Sequence, residues 1–562
     1  MKKDRTYLLL ILFLILSLII LIRLIILQIF EHERLKGMAE RQRTRIITLA
    51  ADRGDILDRN GRILATSLAA FSIYVNPREF KDVSALSNLL GKKVGPFDGK
   101  KLFAWVVRKI EKGLAQKVED GKIPGVYILP EKKRVYPKGR LASQVIGFCG
   151  MDNEGLSGLE LSYDKYLIGV EGRIVTESDP MGYELLSVNE KDIADASPGT
   201  NLTLTIDESI QYLAESKLEA VLKKFKALSG NIIVMDIKSG DILALAGKPD
   251  FDPNEYAKFD PKRWRTSAVD VYEPGSTFKV ITTAAGLDEG VINLDTKLKA
   301  LNSITVGGKI IKNSHQINWN GSTISISRML EQSINTGAVQ IGLKLGPERF
   351  YKKIKDFGFG DRLSINLPGE SPGILRHPRD WYKPDIAMMA FGQSIAVTPI
   401  QLISAIGSIG NGGKRIKPVL VRKIESVDGS FIKTFQCEEL NRTVSNNTAI
   451  EVTKLLENVV LFGSGKRAKM NDYRVAGKTG TAQKAAGGIY LKDRYIASFI
   501  GFAPLADPRL VALVIINEPK GSIWGESVAG PVFKEVVEGA LRYLNVPPDV
   551  VKSKQWQQNL IK

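Results

Sequence analysis

The sequence predicts a mixed α/β (α+β) protein carried on one N-terminal membrane helix. Three observations predict it. Residues 7–30 are apolar apart from Ser17, Arg23 and Gln28. Residues 31–200 alternate short apolar runs with turn residues and lack strong helical periodicity. Residues 201–545 open and close on strand and helix patterns, as expected of one sheet closed by terminal elements.

The apolar segment comes first. At about 1.5 Å per residue it spans roughly 36 Å, enough to cross a bilayer with tilt. Arg23 lies near its far end, where it can snorkel to the interface. The segment runs into Glu31-His32-Glu33-Arg34 with no small-residue cleavage site, so it reads as an uncleaved anchor rather than a signal peptide. Residues 1–6 then form a short cytoplasmic tail. Lys2, Lys3 and Arg5 precede the span while Arg34, Lys36, Arg41, Arg43 and Arg45 follow it, so a raw charge count favours the opposite orientation. That count governs short loops, and long domains translocate largely regardless of it.

Beyond the anchor a basic helical stretch reaches about Arg45. Extended segments follow, turning at Asp58-Arg59-Asn60-Gly61, a hairpin signal. Near residue 200 the pattern sharpens. Leu202-Thr203-Leu204-Thr205-Ile206 alternates like a strand. Asp207 is placed to cap a helix whose apolar face carries Ile210, Leu213, Ala214, Leu218, Val221 and Phe225. A hairpin is predicted around Ser239-Gly240, and a strand pair over residues 495–503 and 510–517. Pro531 starts a last amphipathic helix, and residues 546–562 read as a loose polar tail.

Composition narrows the functional classes. The chain of 562 residues is too long for one ordinary core. Its net charge of +18 needs an anionic neighbour or a solvated face, but no zinc-finger spacing or aromatic RNA-binding signature accompanies it, so no nucleic-acid partner is expected. Cys149 and Cys437 are too few for a disulfide framework. With His32, His315 and His377 they give no metal spacing, so neither metal nor organic cofactor is expected.

The chemistry concentrates in three short motifs. In Tyr272-Glu273-Pro274-Gly275-Ser276-Thr277-Phe278-Lys279, Pro-Gly makes a turn that opens a helix, and Ser276 and Lys279 share a face at i and i+3. A serine at a helix N-terminus lies beside free N–H groups that favour an oxyanion. Its hydroxyl needs a base, and with no histidine near in sequence Lys279 is the obvious one, provided burial and a neighbouring cation depress its pKa. Alone, S-x-x-K is common. Here Ser333-Ile334-Asn335 follows, and then Lys478-Thr479-Gly480-Thr481 after a predicted strand at Arg474-Val475-Ala476-Gly477. S-x-x-K, S-D-N and K-T-G in that order form the signature of penicillin-binding proteins and class A β-lactamases; here the middle motif is S-I-N, which keeps the two polar positions.

With these motifs the chain resembles the class B penicillin-binding proteins, of the FtsI/SpoVD-like septal D,D-transpeptidase type. The resemblance extends upstream to Arg53-Gly54-Asp55, Arg134-Val135-Tyr136-Pro137-Lys138-Gly139 and Gly155-Leu156-Ser157-Gly158-Leu159-Glu160, continuing to Asp164, Leu167 and Gly169. Downstream it includes Phe391-Gly392-Gln393, Thr398-Pro399-Ile400-Gln401-Leu402 and Ser498-Phe499-Ile500-Gly501-Phe502. Ser394 stands where the family usually has glycine.

The resemblance implies a transpeptidase domain with a central antiparallel sheet flanked by helices over residues 201–545, and an elongated pedestal over residues 31–200. It implies Ser276 as nucleophile on the D-Ala-D-Ala stem peptide and Lys279 as acylation base. Ser333 and Lys478 would relay the proton, and Asn335 would hold the peptide amide. Thr479, Gly480 and Thr481 would form the substrate-binding strand, with the N–H groups of Ser276 and Thr481 as oxyanion hole. It further implies β-lactams as inhibitors, an amine acceptor on a second stem, and an FtsW-like polytopic glycosyltransferase with other divisome membrane proteins as partners. The catalytic domain would lie outside the cytoplasmic membrane, at the division septum. Elongation-type transpeptidases, carboxypeptidases and β-lactam sensors share the motifs. The length and the pedestal motifs count against a β-lactamase, and the intact motifs count against an idle scaffold.

Overall fold

The computed structural model describes residues 2–178, 184–185, 193–318, 321–486 and 489–550. Helix α1 (Lys2–Ile25) continues through a π-helical turn, Ile26–Phe30. It is the one helix among the described residues long and apolar enough to cross a membrane. A polar helix, His32–Arg43, follows, as the sequence predicts.

The chain groups into two units. The smaller comprises Met1–Asp52, Ala70–Lys132 and Gly169–Pro198; the larger comprises Arg53–Ala69, Lys133–Ile168 and Gly199–Lys562. In the smaller unit, Thr44–Leu49 pairs antiparallel with Gly172–Ser178, and Tyr74 lies opposite Trp105 in a second strand pair. Two short helices, Val83–Leu90 and Lys112–Asp120, appear where periodicity was weak. Each offers few buried positions: Leu86 on the first, Ala115 and Val118 on the second. Leu86 and Val118 join Ile73, Val75, Phe80 and Val94 in a small core.

The larger unit is built on one antiparallel sheet. Asp207 accepts from the N–H groups of Ser209 and Ile210, starting helix α2 (Glu208–Phe225) where the sequence places it. Strands β1 (Ser229–Asp236) and β2 (Ile242–Lys248) form the predicted hairpin, turning at Gly240 with φ 76°. Helices α3 (Lys279–Asp288), α4 (Asn335–Leu345), α5 (Pro399–Gly410) and α6 (Asn446–Phe462) follow. Strands β3 (Ala476–Ala486), β4 (Ile489–Ala503) and β5 (Leu510–Asn517) and helix α7 (Gly530–Tyr543) complete the unit. The sheet order is β2-β1-β5-β4-β3, which leaves β3 at an edge.

Side-chain alternation divides the core. Ile232 and Val234 of β1 join Val514 and Ile516 of β5 on one face, against Leu218 of α2 and Phe533 and Val537 of α7. Ile233 and Met235 join Leu513 and Ile515 on the other, with Val280 and Ile281 of α3 and Ile403 and Ile406 of α5. Both faces are buried, so β5 reads as an unbroken apolar run rather than an alternating one. Two features depart from expectation. The third motif's strand begins at Ala476, and Arg474 lies outside it, paired with Glu457 of α6 at 2.7 Å. Residues 546–550, the start of the expected tail, are tied down, and residues 551–562 lie outside the described residues. Tyr473 donates to the Val546 carbonyl at 2.8 Å, and Asp549 accepts from the N–H groups of Arg474, Leu505 and Ala506.

The upstream motifs meet inside the larger unit. Glu160 is fully buried; its two oxygens take Arg53 Nε at 2.6 Å and Arg134 Nε at 2.7 Å. Burial alone would raise its pKa, but Arg134 and Arg53 outweigh that and hold the carboxyl below its ordinary value. Arg53 also reaches Asp164 at 2.7 Å, and Arg134 donates to the Gly54 carbonyl at 2.9 Å. The close approach at Gly54 is fixed by its lack of a side chain, since a Cβ there would lie 2.0 Å from the Thr200 carbonyl oxygen.

Candidate active site

The three motifs converge. Gly275–Phe278 forms a 3-10 turn leading directly into α3, with Ser276 half-buried on the turn and Lys279 fully buried as the first residue of the helix. Gly275 has φ 56° and its N–H donates to the Gly392 carbonyl at 3.0 Å. That carbonyl leads into Phe391-Gly392-Gln393, a loop that backs the turn. A Cβ on Gly392 would lie 2.1 Å from the Gly275 oxygen, which accounts for glycine there.

Ser333 occupies the break before α4 with φ 54°, a strained conformation for a serine. It puts the Ser333 side chain between two lysines. Lys279 Nζ donates to the Ser333 carbonyl at 2.6 Å and to its Oγ at 3.1 Å. Lys478 Nζ, also fully buried, donates to the same Oγ at 3.0 Å and to the Thr479 carbonyl at 3.3 Å. Desolvation depresses both lysines. Lys478 falls to about 7 through burial. Lys279 falls well below its ordinary value through burial and then through the charge of Lys478. A neutral Lys279 amine keeps two N–H donors for Ser333 and gains a lone pair able to accept a proton.

Strand β3 runs beside the nucleophile turn. A Cβ on Gly480 would lie 3.0 Å from the Thr277 methyl and 2.2 Å from Ser498 Oγ, so only glycine lets the strand come this close. Thr479 Oγ1 shares a hydrogen bond with Ser464 Oγ at 2.9 Å, and Thr481 Oγ1 accepts from the Gly525 N–H at 3.3 Å. Asn335 opens α4 and donates through Nδ2 to the Lys312 carbonyl at 2.9 Å. These residues line a cleft of about 1020 Å³ that also takes in Ser464, Tyr490 and Trp524. Ser276, Ser333, Asn335, Thr479 and Thr481 line it directly, while Lys279, Lys478 and Gly480 lie behind or along its wall. Ser464 and Trp524 carry no motif and come to the cleft only through folding. The short Gly463-Ser464-Gly465 turn after α6 is the one sequence hint of the first.

A buried lysine, its pKa depressed by desolvation, beside a half-buried helix-start serine is the arrangement of a serine acyltransferase. Comparison with known proteins places it more closely. The penicillin binding protein transpeptidase domain matches residues 230–538, and the penicillin-binding protein dimerisation domain matches residues 48–204. Stage V sporulation protein D of Bacillus subtilis is 36% identical over 561 residues, covering 96% of this chain and 86% of that protein. Peptidoglycan D,D-transpeptidase FtsI of Escherichia coli is 30% identical over 545 residues, covering 93% and 89%. Among solved structures, a peptidoglycan synthetase from Bifidobacterium adolescentis superposes with TM-score 0.74 at 27% identity, covering 91% of this chain and 98% of that one. Penicillin binding protein 3 of Mycobacterium tuberculosis, in complex with aztreonam, superposes with TM-score 0.71 at 26% identity, covering 90% and 98%. The chain belongs to the penicillin-binding protein family, with the dimerisation and transpeptidase domains in that order.

Proposed function

We propose that this protein is a serine D,D-transpeptidase that cross-links peptidoglycan stem peptides, and that β-lactams acylate its nucleophile, Ser276. The observation that carries the reading is the convergence of Lys279 and Lys478 on Ser333 Oγ beside the Ser276 turn.

In this reading Lys279 takes the Ser276 proton as Oγ attacks the penultimate D-alanine carbonyl. The tetrahedral oxyanion lies between the N–H groups of Ser276 and Thr481. Ser333, hydrogen-bonded to both lysines, passes that proton from Lys279 to the departing D-alanine nitrogen, leaving an ester on Ser276 and a neutral Lys279. An amine on a neighbouring stem then attacks the ester, forms the new amide and returns the proton to Ser276. One amide is exchanged for another, so no external energy source is required. Asn335 holds the donor peptide, and Thr479, Gly480 and Thr481 present the strand that receives its carboxylate end.

The finer assignments belong to the same proposal. Residues 7–30 anchor the chain in the cytoplasmic membrane with the catalytic domain outside. Residues 31–200 serve as pedestal, residues 201–545 as catalytic domain and residues 546–562 as tail. The protein works at the septum beside an FtsW-like glycosyltransferase and other divisome proteins. Similarity to the Escherichia coli transpeptidase supports the septal setting.

The test is covalent labelling of the full chain with a fluorescent penicillin. Label that survives denaturation and vanishes in Ser276→Ala is expected. Absence of label on folded wild-type protein would overturn the assignment.

A further inference from the structure

Glu273 lies three residues before Ser276, in the segment leading into its turn, and has no part in the chemistry above. Its carboxylate joins three segments. It belongs to the nucleophile segment itself. Its Oε1 accepts the Ser394 N–H at 3.0 Å, from the loop that follows Gly392 and Gln393. The same oxygen accepts the Tyr490 hydroxyl at 3.2 Å. Tyr490 sits near the turn of the β3–β4 hairpin, opposite Ala485, and lines the cleft. Strand β3 of that hairpin carries Lys478, Thr479 and Thr481. Glu273 Oε2 is buried and has no hydrogen-bond partner among the described residues.

That arrangement costs stability. A buried carboxylate oxygen with no donor forfeits its hydration without replacement. An apolar side chain would fill the same space without that loss. The carboxylate nevertheless spans the turn, the backing loop and the hairpin at one point, beside the reacting serine.

We propose that Glu273 is a positioning residue for acylation: by holding Tyr490, it latches the β3–β4 hairpin to the nucleophile turn and sets the width of the cleft between Ser276 and the substrate strand. This rests on the acyl-enzyme reading of Ser276. A tyrosine hydroxyl bonds more strongly to a carboxylate than to a carboxylic acid, so the latch is tightest when Glu273 is ionised. The charged and titratable groups facing it are Tyr490 from the hairpin and Lys309 from the strand Lys309–Lys312. Burial raises the Glu273 pKa, against the pull of the Ser394 N–H, Tyr490 and Lys309. Protonation therefore begins at a higher pH than for an exposed glutamate, and the latch loosens on the acid side.

The experiment measures the acylation rate constant and the saturation constant for a fluorescent penicillin across pH, on the full chain, for Glu273→Gln, Glu273→Ala, Tyr490→Phe and the Ala/Phe double variant. Tyr490→Phe is expected to slow acylation about tenfold at neutral pH, the scale of one charge-assisted hydrogen bond, with little change in thermal midpoint. The double variant is expected to be no slower than Glu273→Ala alone, because that change already removes the contact that Tyr490→Phe removes. Glu273→Gln keeps a neutral acceptor for both donors; it is expected to acylate faster than Glu273→Ala but slower than wild type at neutral pH, and to lose the part of the acid-side decline that protonation of Glu273 contributes. Wild-type rates in Tyr490→Phe, or multiplying losses in the double variant, would overturn the latch. Either result would leave the Ser276 assignment intact, since wild-type labelling reports on that separately. If Glu273→Ala fails to fold, Tyr490→Phe and the Glu273→Gln pH profile decide the matter.

Discussion

Ser394 has φ 58°, in the left-handed region where a side chain strains the backbone. That is the physical reason for the family's glycine at this place, and serine pays for its absence. Ser394→Gly should raise stability by about 0.5–1 kcal/mol, read as a shift in urea midpoint, and leave penicillin labelling unchanged because the N–H to Glu273 remains. The lysines carry the opposite trade, stability spent on reactivity. Lys478 titrates near 7 in the fold and at 10.5 as an ordinary lysine. Between those values the unfolded chain binds the extra proton, so wild-type stability rises with pH across that window; below about 7 the cost of the buried charge is fully present. Lys478→Met removes that cost along with activity. Its thermal midpoint should exceed the wild type's by more at about pH 6 than at about pH 9, as followed by calorimetry. The motifs that carry Ser276, Lys279 and Lys478 were legible in the sequence because each is a short local pattern. The depressed pKa of Lys279 was legible only as a requirement, since burial is a property of the whole fold.

Strand β3 illustrates what an element adds to its residues. It lies at a sheet edge, yet Gly480 packs against the nucleophile turn on one side and Ser498 of β4 on the other. Gly480→Ala should reduce acylation at least tenfold by forcing β3 away from Ser276, and Ser498→Ala in the same chain should recover part of the loss by removing the nearest clashing atom. Labelling rates of the single and double variants test this. The helices were the more readable elements. Asp207 announces α2 and Pro531 announces α7, where the signals are local; the capping box of Thr398 and Gln401 on α5 emerges only in the structure. The cleft walls at Ser464 and Trp524 were not legible, because their partners, Thr479 for the first and the cleft itself for the second, lie in other elements. The short helices of the smaller unit escaped notice for a related reason: with so few buried residues each, they show little apolar periodicity.

On the scale of the molecule, Glu160 ties together segments that the chain separates widely. Arg53 lies 107 residues before it and Arg134 lies 26 before it. Glu160→Gln would leave two buried guanidinium groups without their shared counter-charge. It should destabilise the larger unit by about 3–5 kcal/mol, measured by urea unfolding, although Glu160 has no contact with the cleft. The sequence marked these residues as a recurring pattern but not as one cluster, since nothing local records that they meet. The same separation governs when the fold can exist at all. Ser229 and Asn517, at matching ends of β1 and β5, are hydrogen-bonded across 288 residues. The central strand β5 and its neighbour β1 are thus made late and early. A chain that leaves its anchor N-terminus first exposes β1 long before its partner arrives, and Ser276 emerges before Lys478 is available to complete its surroundings. On the proposed chemistry, partial chains therefore carry a bare hydroxyl without the buried amines, and reactivity toward peptides or antibiotics is expected only once the last strands have closed the sheet.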